Sequence, residues 1–434
     1  MEEQVRYSMI IDLKQHAADE SKNLEDIYKV LATDVKNEEE VNVAPAIDTS
    51  DRNIVNLGDV RRNIPDGRHT YKNLLHGNNE DILKLLEHRM QYPDTAVVLK
   101  DELCLDDGYL PQGSFTPGGF ATSVDLCLDI RSARNFVRKE IKVSKFRARE
   151  VEHLCRLNCH NISKILGFCV KSDRYEILLE YCGLDLHSAM QMEWNLIIDE
   201  QLDSFITQIA EAIYHCNHQN IFHLDIKPQN VCVYAFQNCI KLKLTDFGAS
   251  KDANSEFFSE GVTLMYAAPE IHYDCCKKFL LHCDRNSGKY QEVLDMTQDF
   301  CKNYHTCSVT EKCDLFSVGL VCLFIKWHND PWKLLLKQVK YGIPKMYSRY
   351  PDIMKSLVDA WGSLASLISS LLTGDPSERC SVNDIFVFMK KLSDKKHEMD
   401  VANCRQVINE VNAVQPTEEE MQISPNIPNM DLLF

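Results

Sequence analysis

Two short polar stretches in the second half of the chain carry residue types that can move a phosphoryl group. In "HLDIKPQN" (223–230), Asp225 can accept the proton of an attacking hydroxyl, and Lys227 can meet the moving γ-phosphoryl group. Asn230, five residues after Asp225, can bind a metal ion. Sixteen residues after Asn230, "DFG" follows the alternating pattern "KLKLT", and its Asp246 would bind Mg²⁺ that bridges phosphates. This ordered pair predicts phosphoryl transfer.

The two stretches belong to an order of motifs that resembles the eukaryotic protein kinase superfamily, from about Leu110 to Leu392. "TLMYAAPE" (263–270) resembles the end of an activation segment, and "DLFSVG" (314–319) resembles the start of a long buried helix. "DPSERCSVNDIF" (375–386) resembles the last helices of that family. The lysine of "DIKPQN" is similar to the serine/threonine-specific class.

This resemblance implies an α+β, bilobal protein kinase fold with a small β-rich N-lobe and a larger helical C-lobe. It implies ATP and Mg²⁺ as cofactors and protein serine or threonine hydroxyls as substrates, in a signalling role. It also implies that Glu270 pairs with Arg379 in a buried salt bridge, and that Asp314 braces the catalytic loop.

A kinase needs a lysine on its third strand to grip the α- and β-phosphates. "FVRK" stands where the family has V-A-I-K, which gives Lys139. Alternation places Val137, Lys139 and Ile141 on one strand face, so Val137 would lie over the adenine. Lys142 and Lys145 are the competing lysines.

The lysine in turn needs a glutamate from a helix to hold it. We predict Glu152 in "RAREVEHL" as this partner, with Glu150 as the competing glutamate. The alternative to both assignments is that these charges are solvated on exposed faces.

The segment "LPQGSFTPGGF" stands where the family has its phosphate-covering loop, but Pro111 replaces the first glycine. Backbone amides can approach phosphate at Gly113, Gly118 and Gly119. An ordinary hairpin turn is the alternative interpretation.

The resemblance assigns the adenine site to "LEYC". Leu179 would guard the back of the pocket, and backbone groups from Glu180 to Cys182 would bond the base. Cys232, shortly after Asn230, would line the floor.

Leu224 stands where many kinases have an arginine that captures a phosphate on the activation loop. Leucine cannot make that bond, so we predict activity that does not depend on loop phosphorylation. The segment offers Ser250, Ser255, Ser259 and Thr263, of which Thr263 matches a structural threonine. The "HLD" loop and the short connection "KEIKVSKFRAREVE" resemble the Mos and Cot branch of MAP kinase kinase kinases.

Composition excludes several classes of partner. The formal net charge of −16 offers no field that attracts nucleic acid or anionic lipid. The start of the chain has no signal-peptide pattern, and the longest apolar run, about 316–327, is shorter than the roughly twenty residues that span a bilayer. The 18 cysteines are scattered, which favours reduced thiols. We expect a cytoplasmic protein and leave nuclear access open.

The pattern along the chain predicts three parts. Residues 1–105 contain two helical patterns, "NLEDIYKVLATDV" and "NNEDILKLLEHRM", and should form a helical, partly flexible extension. Residues 106–395 should form the kinase domain, with the N-lobe at 106–182 and the C-lobe at 183–395. Residues 396–434 should be a mostly disordered acidic tail.

Between Glu270 and Asp314 the chain has 43 residues, where the family has roughly a dozen. We expect a helical surface excursion over about 273–310, with a zinc site as the rarer alternative. The candidate ligands are Cys275, Cys276, His282, Cys283, Cys301, His305 and Cys307.

The rival function is a pseudokinase scaffold that binds a regulatory partner through the N-terminal extension or the insert. The irregular glycine segment and Leu224 favour it, whereas Lys139, Asp225 and Asp246 favour catalysis. A third possibility is a kinase whose output is regulated assembly, with "MDLLF" in the tail as a docking peptide.

Overall fold

The protein is represented by a computed structural model. It describes residues 73–76, 95–99, 103, 108–117, 120–192, 194–236, 239–256, 258–282, 309–329, 331 and 362–395, with single residues and short pieces between 285 and 298. One compact unit covers 1–385, and a second covers 386–434, of which the structure describes a helical stretch that ends at 395.

A seven-stranded sheet forms the first part of the fold, with the strand order β1-β2-β6-β7-β5-β4-β3. Neighbouring strands are antiparallel except β1 and β2, which run parallel. Buried and half-buried residues alternate in β4, as expected for a strand with one covered face. The strands are β1 (Asn73–His76), β2 (Thr95–Val98), β3 (Tyr109–Phe115), β4 (Ser123–Asp129), β5 (Asn135–Lys142), β6 (Ile165–Val170) and β7 (Arg174–Glu180).

Strands β1 and β2 correct the predicted N-terminal boundary. β2 pairs with β6 in register Val97 to Phe168, and the Val97 side chain is fully buried. For the described residues, two predictions are therefore wrong: that the N-lobe begins at residue 106, and that the extension before it is only helical. The β-branched run "TAVV" carried the strand signal. The two helical patterns, at 23–35 and 78–90, lie outside the described residues.

Strand β3 contains the first half of the predicted phosphate-covering segment. Its register against β4 shifts between Pro111 and Gly113, and residues 111–115 are exposed. Proline lacks the amide proton that a ladder requires, so it is tolerated at this outer strand with an irregularity beside it. Gly113 has open space where a side chain would begin. Gly118 and Gly119 lie outside the described residues.

Helix α1 (Ala148–Arg156) follows β5 after a short turn at Val143–Lys145. It buries Glu150, Val151, His153 and Leu154, which share one face at helical spacing. The helix predicted at "RAREVEHL" is confirmed.

Helices dominate the chain after residue 185, as predicted. In α4 the apolar residues Leu202, Phe205, Ile206, Ile209 and Ile213 are all buried, and α6 buries every residue from Cys313 to Ile325. The helices are α2 (Leu186–Met190), α3 (Trp194–Glu200), α4 (Leu202–His218), α5 (Pro269–His282), α6 (Cys313–Trp327), α7 (Ser363–Leu371) and α8 (382–395). The α+β, bilobal class is confirmed.

Two small sheets hold the polar motifs. β8 (Leu184–Asp185), β10 (Val231–Phe236) and β11 (Cys239–Leu244) form one, and β9 (Ile221–Phe222) pairs with β12 (Lys251–Asp252) in the other. "HLDIKPQN" therefore connects β9 to β10, and "DFG" connects β11 to β12. The two pairings bring the motifs to one side of the molecule.

The insert begins as a continuation of α5, which reaches His282. Cys276 is buried in this helix and Cys275 is half-buried. No group of three or more His, Cys, Asp or Glu residues that could hold a metal occurs in the part of the chain that the structure describes. Four candidate ligands (Cys283, Cys301, His305 and Cys307) lie outside it, so the zinc hypothesis stays untested.

Among the described residues, no helix is long and apolar enough to cross a membrane.

A buried ion pair joins the start of α5 to the loop before α8. Arg379 donates to both carboxylate oxygens of Glu270, at 2.7 and 3.0 Å, and both side chains have no exposed area. Arg379 also donates to the carbonyls of Lys312, Thr373 and Gly374. The predicted pair is confirmed, and its extra bonds satisfy the donors that burial would otherwise leave unpaired.

Replacing Arg379 with Met should lower the free energy of unfolding by about 3–5 kcal/mol, because Glu270 would be left as an unpaired buried carboxylate. Chemical unfolding would measure the change. The matched control is Glu378→Gln at the exposed neighbour, which should change stability by less than about 0.5 kcal/mol. A loss below about 1 kcal/mol in the Arg379 variant would contradict the assigned role.

Candidate active site

The loop between β9 and β10 folds around the carboxylate of Asp225. The side chains of Lys227 and Asn230 donate to its Oδ2 at 2.8 and 2.9 Å, and the amide of Thr263 donates to its Oδ1 at 2.8 Å. A short helical turn, Pro228–Asn230, places Asn230 so that it also donates to the carbonyl of Asp225. These contacts fix the carboxylate in one orientation.

Lys227 makes a second bond, 2.7 Å long, to the hydroxyl of Thr263. Thr263 therefore contacts both the aspartate and the lysine, as the resemblance predicts. The end of the activation segment is tied in this way to the loop between β9 and β10.

Asp314, at the start of α6, binds the backbone of this loop. Its two carboxylate oxygens accept the amides of His223 and Leu224, each at 2.7 Å. Full burial raises the pKa of Asp314, although the two amides and the nearby His223 oppose the rise. Leu224 is buried and has a φ of 66°, which is uncommon for leucine. The predicted bracing by Asp314 is confirmed.

His223 links the loop to the strand before "DFG". The amide of Asp225 donates to His223 Nδ1 at 3.2 Å, so Nε2 carries the proton and donates to the carbonyl of Thr245 at 3.0 Å. Its ring also meets the ring of Phe247 edge to face, with centroids 4.6 Å apart. The two motifs are therefore fixed to each other.

The ammonium of Lys139 on β5 lies between two carboxylates. Its Nζ is 2.7 Å from Glu150 Oε1 and 2.7 Å from Asp246 Oδ1. Burial alone would lower the pKa of Lys139, but the negative charges of Asp246 and Glu150 outweigh it and raise the pKa. The same cation lowers the pKa of Asp246 against the effect of burial. Lys139 is thus a permanent cation at the site.

The prediction of Glu152 as the partner of Lys139 is wrong, since Glu150 makes the bond. Residues two positions apart in a helix point in directions about 200° apart around the helix axis, so Glu150 and Glu152 cannot both face β5. Glu150 is 4% exposed and Glu152 is half-buried. The apolar residues of α1, which include Val151 and Leu154, did not reveal from the sequence whether Glu150 or Glu152 faces β5.

Asp246 stands in the left-handed region with a φ of 61°, and its Oδ1 accepts the amide of Gly248 at 3.3 Å. Side-chain atoms of Asp246, Glu150 and Lys139 lie within 3.6 Å of the point where a Cβ of residue 248 would stand. A glycine at this position therefore avoids crowding against the charged triad.

Oxygen donors suited to Mg²⁺ are available at Asn230 and Asp246. Both described bonds of the Asn230 side chain use Nδ2, which leaves the amide oxygen for a cation. Both described bonds of the Asp246 carboxylate use Oδ1. Mg²⁺ prefers oxygen ligands and commonly binds through one or two protein groups together with phosphates and water. The two residues fit such an ion.

The predicted adenine site lies at the end of β7. Val137 is paired with Leu179 across β5 and β7, and Leu179 is buried. The Cys182 thiol donates to the carbonyl of Glu180, and burial raises its pKa to about 12. Burial raises the pKa of Cys232 as well. Both thiols therefore stay neutral.

Sequence reasoning missed His153, which joins α1 to the residues after "DFG". The Ser250 hydroxyl lies 2.6 Å from the carbonyl of Phe247 and 2.7 Å from His153 Nδ1, and His153 Nε2 lies 3.4 Å from Asp252 Oδ1. Burial lowers the pKa of His153 to about 4, so the ring is neutral at neutral pH. The signal was its position three residues after Glu150, on the same helix face.

Asp274 on α5 was also missed. One of its oxygens accepts the amides of Phe258 and Ser259, at 2.8 and 3.0 Å. This buried carboxylate fixes the middle of the activation segment, and it lies inside the region that sequence analysis treated as a surface insert.

Comparison with known proteins agrees with this geometry. Residues 117–284 match the model of the protein kinase domain. The mitogen-activated protein kinase kinase kinase dlk-1 of Caenorhabditis elegans is 30% identical over 203 residues, which cover 45% of this chain and 21% of that protein.

Two further relatives are more distant in sequence. The probable serine/threonine-protein kinase fhkA of Dictyostelium discoideum is 26% identical, with 54% of this chain and 40% of the relative covered. The serine/threonine-protein kinase KSP1 of Saccharomyces cerevisiae is also 26% identical, with 53% and 20% covered. The chain spans between 15% and 50% of the length of the curated relatives that it matches. The matches and the bonded motifs together show that residues 117–284 resemble a protein kinase domain and that the chain is similar to serine/threonine kinases over part of its length.

Proposed function

We propose that the protein transfers the γ-phosphoryl group of ATP to serine or threonine hydroxyls of protein substrates. The observation that carries the proposal is that two groups of bonded residues occur together. In one, Lys139 is bonded to Glu150, and in the other Asp225 is bonded to Lys227 and Asn230. Together they supply a cation for the phosphates and a positioned carboxylate for the substrate hydroxyl. Mg²⁺, when bound, would neutralise charge on the phosphates.

Each residue has a proposed part in the reaction. Asp225 accepts the proton of the substrate hydroxyl, and Lys227 stabilises charge on the moving group. Lys139 positions the α- and β-phosphates, while Asn230 and Asp246 are the metal ligands. Backbone amides at Gly113, Gly118 and Gly119 would approach the phosphates, and the adenine would lie against Val137, Leu179, Glu180, Cys182 and Cys232.

We further propose that the enzyme acts upstream in a MAP kinase pathway, as an intracellular MAP kinase kinase kinase. The name of the Caenorhabditis elegans relative and the "HLD" loop support this finer assignment. Faster phosphorylation of an inactive MAP kinase kinase than of casein would support it, and equal rates on both would argue against it. A regulatory partner would bind through the N-terminal region or the insert.

Asp246→Asn should abolish radiolabelled γ-phosphate transfer from Mg²⁺-ATP to a generic protein substrate, because it removes one charged metal ligand. Asp225→Asn should reduce transfer by about 10²–10⁴-fold, the usual contribution of a positioned base. The expected result is transfer by the unaltered protein, residual transfer by Asp225→Asn and none by Asp246→Asn. No transfer from the unaltered protein, together with weak nucleotide binding, would instead support a pseudokinase scaffold.

Glu150→Gln should lower kcat/KM by about 10- to 100-fold, the range expected when a hydrogen bond to a charged group is lost. The matched control is Glu152→Gln on the opposite side of α1, which should stay within about twofold of the unaltered enzyme. Steady-state kinetics with varied ATP would measure both. The reverse order of effects would restore Glu152 as the partner of Lys139.

Treatment with a phosphatase should leave most of the activity, because Leu224 provides no cation for a phosphate on the activation segment. Mass spectrometry must first confirm that Ser255 and Ser259 carry no phosphate. Nearly complete loss of activity with unchanged folding would contradict independence from loop phosphorylation.

A further inference from the structure

Four segments of the chain meet beside the N-terminus of α1. Arg147, the residue before the helix, lies 3.1 Å from Glu260 Oε1, and Lys251 on β12 lies 3.0 Å from Glu260 Oε2. The Arg147 guanidinium also covers the ring of Phe120, with its carbon 4.0 Å from the ring centroid. Each oxygen of the Glu260 carboxylate thus binds a different cation, and Phe120 connects the segment before β4 to this cluster.

The chain is constrained directly after Glu260. Gly261 has a φ of 82°, and a Cβ at this position would stand 3.0 Å from the Phe120 ring. A residue with a side chain would be strained there and would press against the aromatic ring. The backbone is therefore fixed where the Glu260 side chain turns toward Arg147 and Lys251.

Glu260 lies between the two groups of bonded residues in the site, one around Lys139 and Glu150 and the other around Asp225. The carbonyl of Arg147 accepts the amide of Glu150 at 3.1 Å, so an anchor at Arg147 holds the turn that carries Glu150. On the other side, Thr263 follows Glu260 by three residues and binds Asp225 and Lys227. Glu260 and Glu150 also line one cavity of about 380 Å³. One carboxylate therefore influences both halves of the site.

Lys251 brings a cation close to the position of the missing arginine. It pairs across β12 and β9 with Phe222, two residues before Leu224. It is 9% exposed, so its charge is poorly screened by solvent. Burial tends to raise the pKa of Glu260, but the bond from Lys251 and the charges of Arg147 and Lys251 hold it below its usual range. The carboxylate is therefore ionised at neutral pH.

We propose that Glu260 is a positioning residue that holds α1 and the activation segment in the arrangement required for phosphoryl transfer. The charged carboxylate of Glu260 binds Arg147 and Lys251, which are the cations that a phosphate added to this segment would otherwise bind. The inference rests on the proposed kinase activity and explains how that activity needs no phosphate at this segment.

The test compares Glu260→Gln, Glu260→Asp and a matched control, Glu256→Gln, in the full chain free of phosphate. Glu256 is exposed on the same segment and forms no ion pair among the residues described. We expect Glu260→Gln to lower kcat by about tenfold or more, Glu260→Asp to recover most of it, and Glu256→Gln to match the unaltered enzyme. The kinetics would separate kcat from KM for ATP.

Hydrogen exchange supplies a readout that does not depend on activity. Amides of 147–156 and 258–263 should exchange faster in Glu260→Gln than in Glu256→Gln. Arg147→Gln should change both readouts less in the Glu260→Gln background than it does alone, since both substitutions remove the contact between Arg147 and Glu260. Unchanged kcat and exchange in Glu260→Gln would overturn the inference.

The failure of the inference differs from the failure of the proposed function. An inactive unaltered protein would refute the kinase proposal, and the exchange comparison would still decide whether Glu260 holds the two segments together. An active enzyme that is indifferent to Glu260→Gln would leave the kinase proposal intact and remove the positioning role.

Discussion

The site depends on the position of one buried ammonium group, that of Lys139. A buried charge is costly unless it is paired and bonded, and Lys139 meets this requirement through carboxylates from α1 and from the segment after β11. Both segments must therefore approach β5 closely. The contacts of His153 with Ser250, and of Asp314 with the loop before β10, place the remaining groups relative to this triad.

Leu224 illustrates how a change in one motif can leave its geometry intact. The loop geometry at this position comes from backbone amides that bond to Asp314, so it requires no particular side chain at residue 224. The left-handed φ of Leu224 is a strained conformation that the two carboxylate bonds offset. A leucine at position 224 is therefore compatible with the observed shape of the loop.

Motifs with a fixed spacing could be predicted from the sequence, whereas orientation and long-range pairing could not. "HLDIKPQN", "DFG" and the strand that carries Lys139 were readable because each is continuous in the chain. The choice between Glu150 and Glu152 depends on the rotation of α1, which the turn before it and the triad set together. Strand β2 was overlooked because its partner, β6, follows it by about 70 residues, and local periodicity carries no information on such pairing.

The pairing of β2 with β6 has a consequence for the solubility of shorter forms of the chain. All six residues of β6 are buried, and its outer side is bonded to residues 95–98. The region that matches the kinase domain begins at residue 117, after both β2 and β3. A chain cut back to that region would expose an apolar strand with unpaired amides and carbonyls, which can recruit strands of other copies. Residues 95–98 thus cover a strand edge that would otherwise offer unpaired backbone groups.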